Sequence, residues 1–196
     1  MAVGGRRDGR ARLFQTLHTL GVVGDLTDGQ LLERFAAGPG EASELAFAVL
    51  VERHGAMVRR VCLAVLRNEH EAEDASQAVF LVLARKAGTL RVRGSLGPWL
   101  HRVAWRTAAG LRATAARRRR HELRLVVLDT DPVVEPAGSM DLDRDAAIHE
   151  ELARLPETYR AAVVLCDLEG RAHSETARIL GWPVGTVKSR QARGRR

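Results

Sequence analysis

LPETYRAAVVLCDLEG, Leu155 to Gly170, and GWPVGTVKSR, Gly181 to Arg190, are the stretches whose reading decides the fold. Leu152 and Leu155 begin an apolar stripe, Pro156 restarts a helix, and Tyr159, Ala162, Val163 and Cys166 recur at i, i+3, i+4 and i+7. Gly170 ends that helix. A short helix follows from Ser174 to Leu180, and Gly181 makes the turn, where a left-handed backbone comes easily to glycine. Pro183 opens a final helix that reaches Arg196. Ala177 is small where two helices must cross closely, and Leu180, Val184 and Val187 supply a shared core. The outer face of the last helix shows Thr186, Ser189, Arg190 and Arg193, with Lys188 beside them. Hydroxyls and cations on one helical face suit phosphates and base edges in a DNA major groove. A solvated basic helix is the plainer alternative.

Upstream of this helix-turn-helix, from Asp129 to Asp145, acidic residues and prolines replace apolar periodicity. An acidic linker is expected over residues 123–147. Before it, apolar positions recur at helical spacing: Leu26, Leu31, Leu32 and Phe35 in one helix, then Phe47, Leu50, Val51, Val58, Val61, Cys62 and Val65 in a second, expected over 43–67. A third helix is expected over 71–86, and a fourth from Pro98 towards Arg117–Arg120. An Arg- and Gly-bearing loop joins them. No stretch alternates at strand period. The expected fold is therefore all-α, two small helical domains joined by an acidic linker, at residues 25–122 and 148–196, after an extension at 1–24.

Composition narrows the function. The chain has 196 residues, 45% of them apolar and only 4% aromatic, which favours helix packing over a β-sandwich. The net charge of +7 and pI near 10.7 suit a polyanionic partner, because cations near phosphates release condensed counterions. Cys62 and Cys166 show no ligand spacing and read as buried, inert thiols, so neither zinc nor a disulfide framework is expected. No apolar run is long enough for a signal peptide or membrane span, and a cytoplasmic protein is expected. The seven histidines are scattered, and none pairs recognisably with a carboxylate or nucleophile. His173 and Ser174 read as a polar surface pair. No catalytic residue, metal or cofactor is expected.

The two quoted strings resemble the fourth conserved region of extracytoplasmic-function sigma factors of bacterial RNA polymerase. LTDGQLLERF (Leu26 to Phe35) and LVERHGAMVRRVC (Leu50 to Cys62) are similar to the opening helices of that family's second region. EAEDASQAVFLVLARKA (Glu71 to Ala87) and SLGPWLHRVAWRTA (Ser95 to Ala108) are similar to its third and fourth helices. The resemblance spans nearly all of Asp25 to Arg196 apart from the linker, in family order. It implies core RNA polymerase and promoter DNA as partners, with room for an anti-sigma protein.

Asp74, Gln77, Val79 and Phe80 would then dock on the clamp helices of the polymerase's largest subunit, its flap being a second contact. For Val79 the plainer place is the core. Arg91, Arg93 and Ser95 in the loop, with Trp99, Arg102, Trp105 and Arg106 on the next helix, would take the minus-ten element. There indole and guanidinium groups can stack on unpaired bases while cations hold the strand; equally, Trp99 and Trp105 could be core. Thr186, Lys188, Ser189, Arg190 and Arg193 would read the minus-thirty-five element.

Departures from the family pattern are visible. Gln191 stands where an aliphatic residue is expected, and an unpartnered buried amide costs about 1–3 kcal/mol. Gly194 weakens the same helix, and Ala172 replaces a Ser or Thr cap, about 1 kcal/mol. The alternatives are a degenerate sigma factor that reads the upstream element weakly and a stand-alone helix-turn-helix regulator.

Overall fold

The computed structural model describes residues 26–92, 94–126 and 140–196, and among these the regular structure is helical throughout. Helix α1 (Asp28–Ala36) begins on a capping box: Thr27 Oγ1 accepts from the Gln30 amide and the Gln30 side chain accepts from the Thr27 amide. Ser43 Oγ donates to the Phe35 carbonyl at 3.0 Å and ties the end of α1 to the start of α2 (Glu41–Leu66). Asn68 caps α3 (Glu69–Lys86), accepting from the amides of His70 and Glu71. Helix α4 runs from Gly97 to Val126.

Helix α2 is the centre of this first unit: α1, α3 and α4 all pack on it. Leu31, Leu50, Val58, Val61, Leu83, Leu96 and Leu100 are buried between the four. Cys62 is buried among them, whereas Cys166 is only half-buried, its Sγ 3.4 Å from Thr176 Oγ1. From Gly110 to His121, α4 leaves the bundle and every side chain is exposed, Arg117–Arg120 included.

The second unit comprises α5 (Met140–Arg154), α6 (Glu157–Val163) continued by a π-helical turn (Val164–Leu168), α7 (His173–Leu180) and α8 (Val184–Gly194). Gly181 takes the turn at φ 66°, as the sequence predicts, and Ala172 provides no side-chain cap to α7. Val187 is fully buried, but Val184 is 40% exposed and adds little to the shared core.

Gly194 corrects the sequence reading. A Cβ there would lie 2.7 Å from Val163 Cγ2, so glycine permits the close approach of α8 to α6 instead of merely weakening the helix. Helices also enter both ends of the segment expected as a linker. Helix α4 extends to Val126, and α5 starts at Met140, leaving 127–139 outside the described residues. Asp141, Asp143 and Asp145 belong to the opening turns of α5, where the helix dipole favours acidic residues. Helix α5 packs on both α2 and α4, so the two units are in contact. The extension at residues 1–24 lies outside the described residues.

Candidate nucleic-acid interface

Helix α8 presents Lys188, Ser189 and Arg193 to solvent, with Thr186 and Arg190 half-buried beside them. The Arg190 guanidinium lies 4.0 Å from the Trp182 ring centroid, a cation–π contact that fixes its direction. Ser189 Oγ donates to the Thr186 carbonyl at 3.1 Å.

Gln191 is buried but not orphaned. Its Nε2 donates to Asp167 Oδ1 at 2.7 Å, and its Oε1 accepts from His173 Nε2 at 2.7 Å. Arg195 pairs with the same Asp167. The amide thus ties the π-helical turn, α7 and α8 together, and His173 is a structural partner instead of half of a surface pair. Gln191→Leu is therefore expected to destabilise the chain by about 1–3 kcal/mol, because it strands a buried hydrogen-bonding group. Urea unfolding measures this, and an unchanged or higher midpoint would refute it.

In the first unit, Trp99 and Trp105 are half-buried against the core, while Arg102 and Arg106 are exposed on the same helix. Each indole packs in part against the core and keeps part of its surface accessible. Arg91 is exposed, Ser95 accepts the Gly97 amide at 3.0 Å, and Arg93 lies outside the described residues. Arg102, Trp105 and Arg106 line a hollow of about 440 Å³ opposite Arg154, Pro156 and Arg160. Arg160 is buried and donates to the Leu155 carbonyl at 2.7 Å. Burial first, then repulsion from Arg102 and Arg106, push its pKa below the usual arginine range despite the attraction of Glu157.

On α3, Asp74 and Gln77 are exposed, whereas Phe80 is buried in the core, 8% exposed, where it meets Phe47 edge-on at 6.4 Å and shows only its rim to the groove below. Val79 is fully buried, so it has no surface to offer a partner; it supports the face from beneath. A groove of about 710 Å³ between α2 and α3 is lined by Phe47, Val51, Gln77, Phe80, Leu81 and Ala84. Leu81, 60% exposed, was not legible as part of this face. It adjoins Phe80 in a continuous apolar run, where periodicity cannot say which residue points out.

The histidine reading is overturned. His54 on α2 is fully buried between two carboxylates: Nε2 is 2.8 Å from Asp28 Oδ2, and Nδ1 is 3.1 Å from Glu169 Oε1. Asp28 also accepts from the Leu96 amide at 2.8 Å and pairs with Arg53 at 3.0 Å. Glu169 pairs with Arg171 at 2.9 Å. Burial alone would lower the His54 pKa, but its hydrogen bonds to Asp28 and Glu169 and their charges raise it to about 9. A second pair, His101 and His149, joins α4 to α5 with Nε2 and Nδ1 3.1 Å apart. Burial first, then the charges of His149 and Arg160, push His101 down to about 3, so this contact is made by neutral rings.

Among the described residues no cluster of three or more His, Cys, Asp or Glu could hold a metal ion. Nor is any described helix long and apolar enough to cross a membrane.

Residues 50–120 match the family described as Sigma-70 region 2, and residues 145–196 match Sigma-70, region 4. The chain is 33% identical over 169 residues to the ECF RNA polymerase sigma factor SigM of Mycobacterium tuberculosis, covering 86% of this chain and 81% of that protein. It is 29% identical over 178 residues to the RNA polymerase sigma-H factor of Pseudomonas aeruginosa, covering 86% and 90%. Among solved structures, CnrH in complex with the cytosolic domain of CnrY aligns with a TM-score of 0.43 at 23% identity, over 86% of this chain and 92% of that one.

Proposed function

Because the chain belongs to the extracytoplasmic-function (ECF) family of RNA polymerase sigma factors, we propose a division of its surface among the polymerase and two promoter elements. The chain works with RNA polymerase in promoter recognition and transcription initiation, as an initiation factor with no bond chemistry of its own. Asp74, Gln77, Phe80 and Leu81, around the α2–α3 groove, dock on the core polymerase clamp. Arg91 and Ser95, with Trp99, Arg102, Trp105 and Arg106 on α4, take the minus-ten element. Thr186, Lys188, Ser189, Arg190 and Arg193 on α8 take the minus-thirty-five element. An anti-sigma protein is a third partner on the same reading.

The observation that carries this division is the α4 stripe: half-buried indoles flanked by exposed guanidiniums suit an unpaired strand, whose bases stack while its phosphates are held. Capture of such bases offsets the few kcal/mol needed to unstack them. The unit that binds polymerase and the minus-ten element ends with α4, and the upstream-element unit begins with α5. In-vitro transcription with purified core polymerase on a promoter library tests the reading. Addition of the chain is expected to give discrete start sites, all abolished by Arg102→Ala/Arg106→Ala. Random starts with the wild-type chain would overturn it.

A further inference from the structure

The hollow between α4 and the α5–α6 junction has two basic walls. Arg102, Trp105 and Arg106 form one, on a single face of α4. The second unit supplies the other: Arg154 at the end of α5, Leu155 and Pro156 at the junction, and Arg160 on α6. The spacing of the walls is set without an occupant, because α5 packs on α4 and the His101–His149 contact joins them at 3.1 Å. At about 440 Å³ the space falls within the roughly 300–1,000 Å³ of small-molecule sites.

The cations here lack matching anions. Glu157 is the one carboxylate among the lining residues, and Arg154 is engaged by Glu150 and Glu151 at 2.5 and 2.8 Å. Among the described residues Arg102 and Arg106 have no carboxylate partner. Arg160 is only 4% exposed. One of its terminal nitrogens donates to the Ala153 and Leu155 carbonyls, while its buried Nε has no partner. A buried charged donor left empty is costly, and charge-assisted bonds to phosphate are the strong way to fill such a set. Trp105, Leu155 and Pro156 add an apolar part that a bare phosphate would leave unused and that a nucleobase can cover by stacking.

We propose that this hollow binds a free nucleoside triphosphate, its base against Trp105 and the apolar junction and its phosphates among Arg102, Arg106, Arg154 and Arg160. A space of this size between two walls holds about one nucleotide, whereas a promoter strand must both enter and leave it. Two of the four arginines also belong to the second unit, outside the α4 stripe assigned to the strand. Ligand and strand share Arg102, Trp105 and Arg106, so each lowers the apparent affinity of the other. The site stands on the chemistry of the hollow itself; only this competition rests on the assignment of α4 to the minus-ten strand.

Calorimetric titration of the full chain without polymerase, at low salt, tests this with ATP, GTP, tripolyphosphate and adenosine. ATP and GTP are expected to saturate at one ligand per chain, tripolyphosphate to bind about ten-fold more weakly, and adenosine more weakly still. Arg154→Ala and Arg102→Ala change exposed positions on opposite walls, so neither variant depends on the buried Arg160. Each is expected to weaken ATP about ten-fold. Arg118→Ala/Arg119→Ala, in the exposed run further along α4, is expected to leave ATP binding unchanged. Heat that fails to saturate near one ATP per chain, or that disappears in the Arg118/Arg119 variant, means general attraction to a basic chain and overturns the site. Wild-type affinity in both Arg154→Ala and Arg102→Ala overturns it as well. Tripolyphosphate binding as tight as that of ATP overturns the nucleoside assignment. Saturating ATP is also expected to weaken binding of a minus-ten single-stranded oligonucleotide about ten-fold. If ATP binds with all the expected variant effects and the oligonucleotide is unaffected, the nucleotide site stands and the assignment of α4 to the strand fails.

Discussion

His54→Ala is expected to cost about 3–5 kcal/mol of unfolding free energy near neutral pH, the largest single-residue effect anticipated in this chain. The imidazole is fully buried, and Asp28 and Glu169 are nearly so. Removing the ring leaves two buried carboxylates facing each other across a cavity, each keeping only its arginine, Arg53 or Arg171, at its outer side, and the loss of the shared buried cation is what makes breaking such a set expensive. The effect has a defined pH window. His54 in the folded chain is raised to about 9, so its contribution is complete below its ordinary value of 6.5 and is lost as pH rises through about 9. Asp28 shows the opposite sign. Burial alone would raise it, but His54, the Leu96 amide and Arg53 bring it to about 2, so its contribution is present above 3.8 and lost as pH falls towards about 2. Urea unfolding of wild type and variant from pH 5 to 10 should show the widest gap below about 6.5, narrowing steadily towards the alkaline side. A gap independent of pH would mean that the imidazole acts only by filling space.

This triad also marks the limit of what the sequence could reveal. Local rules located the helices: Gly181 as the left-handed turn, and the Leu31, Leu50 and Leu83 stripes as core. Each of those signals is read within a few residues of the feature. His54 has its partners 26 and 115 positions away, and Gln191 has its partners 18 and 24 positions away. No periodicity encodes such pairs, so in the sequence the histidine reads as unattached and the glutamine as misplaced. The acidic start of α5 failed for a different reason. A run of carboxylates between prolines is as consistent with a solvated linker as with a helix N-terminus, and only the packing of α5 on α2 and α4 decides between them. The proposed DNA-contacting residues were legible because they share helical faces; that the second unit walls a hollow against some of them was not.

Arg102→Ala/Arg106→Ala is expected to weaken binding of the opened promoter strand by about 10- to 100-fold at low salt while making the free chain more stable. The two effects have one cause. Both guanidiniums are exposed and point into the hollow that also holds the buried Arg160, whose charged state they disfavour. Four arginines gathered around one carboxylate, Glu157, are costly to the free protein, and a phosphate arriving among them relieves that repulsion. Each phosphate left without its arginine should also lower the slope of log affinity against log salt by about 0.7 for a single strand. The salt titration is therefore the sharper measurement, because a merely structural role for the arginines would shift affinity without changing the slope. Trp105→Phe separates stacking from packing in the same assay. If the indole serves the bases, strand affinity falls while the unfolding midpoint barely moves; if it serves the core, the midpoint falls and the salt slope stays as it was. A double-arginine variant with wild-type slope and lowered stability would remove α4 from the strand-binding surface altogether.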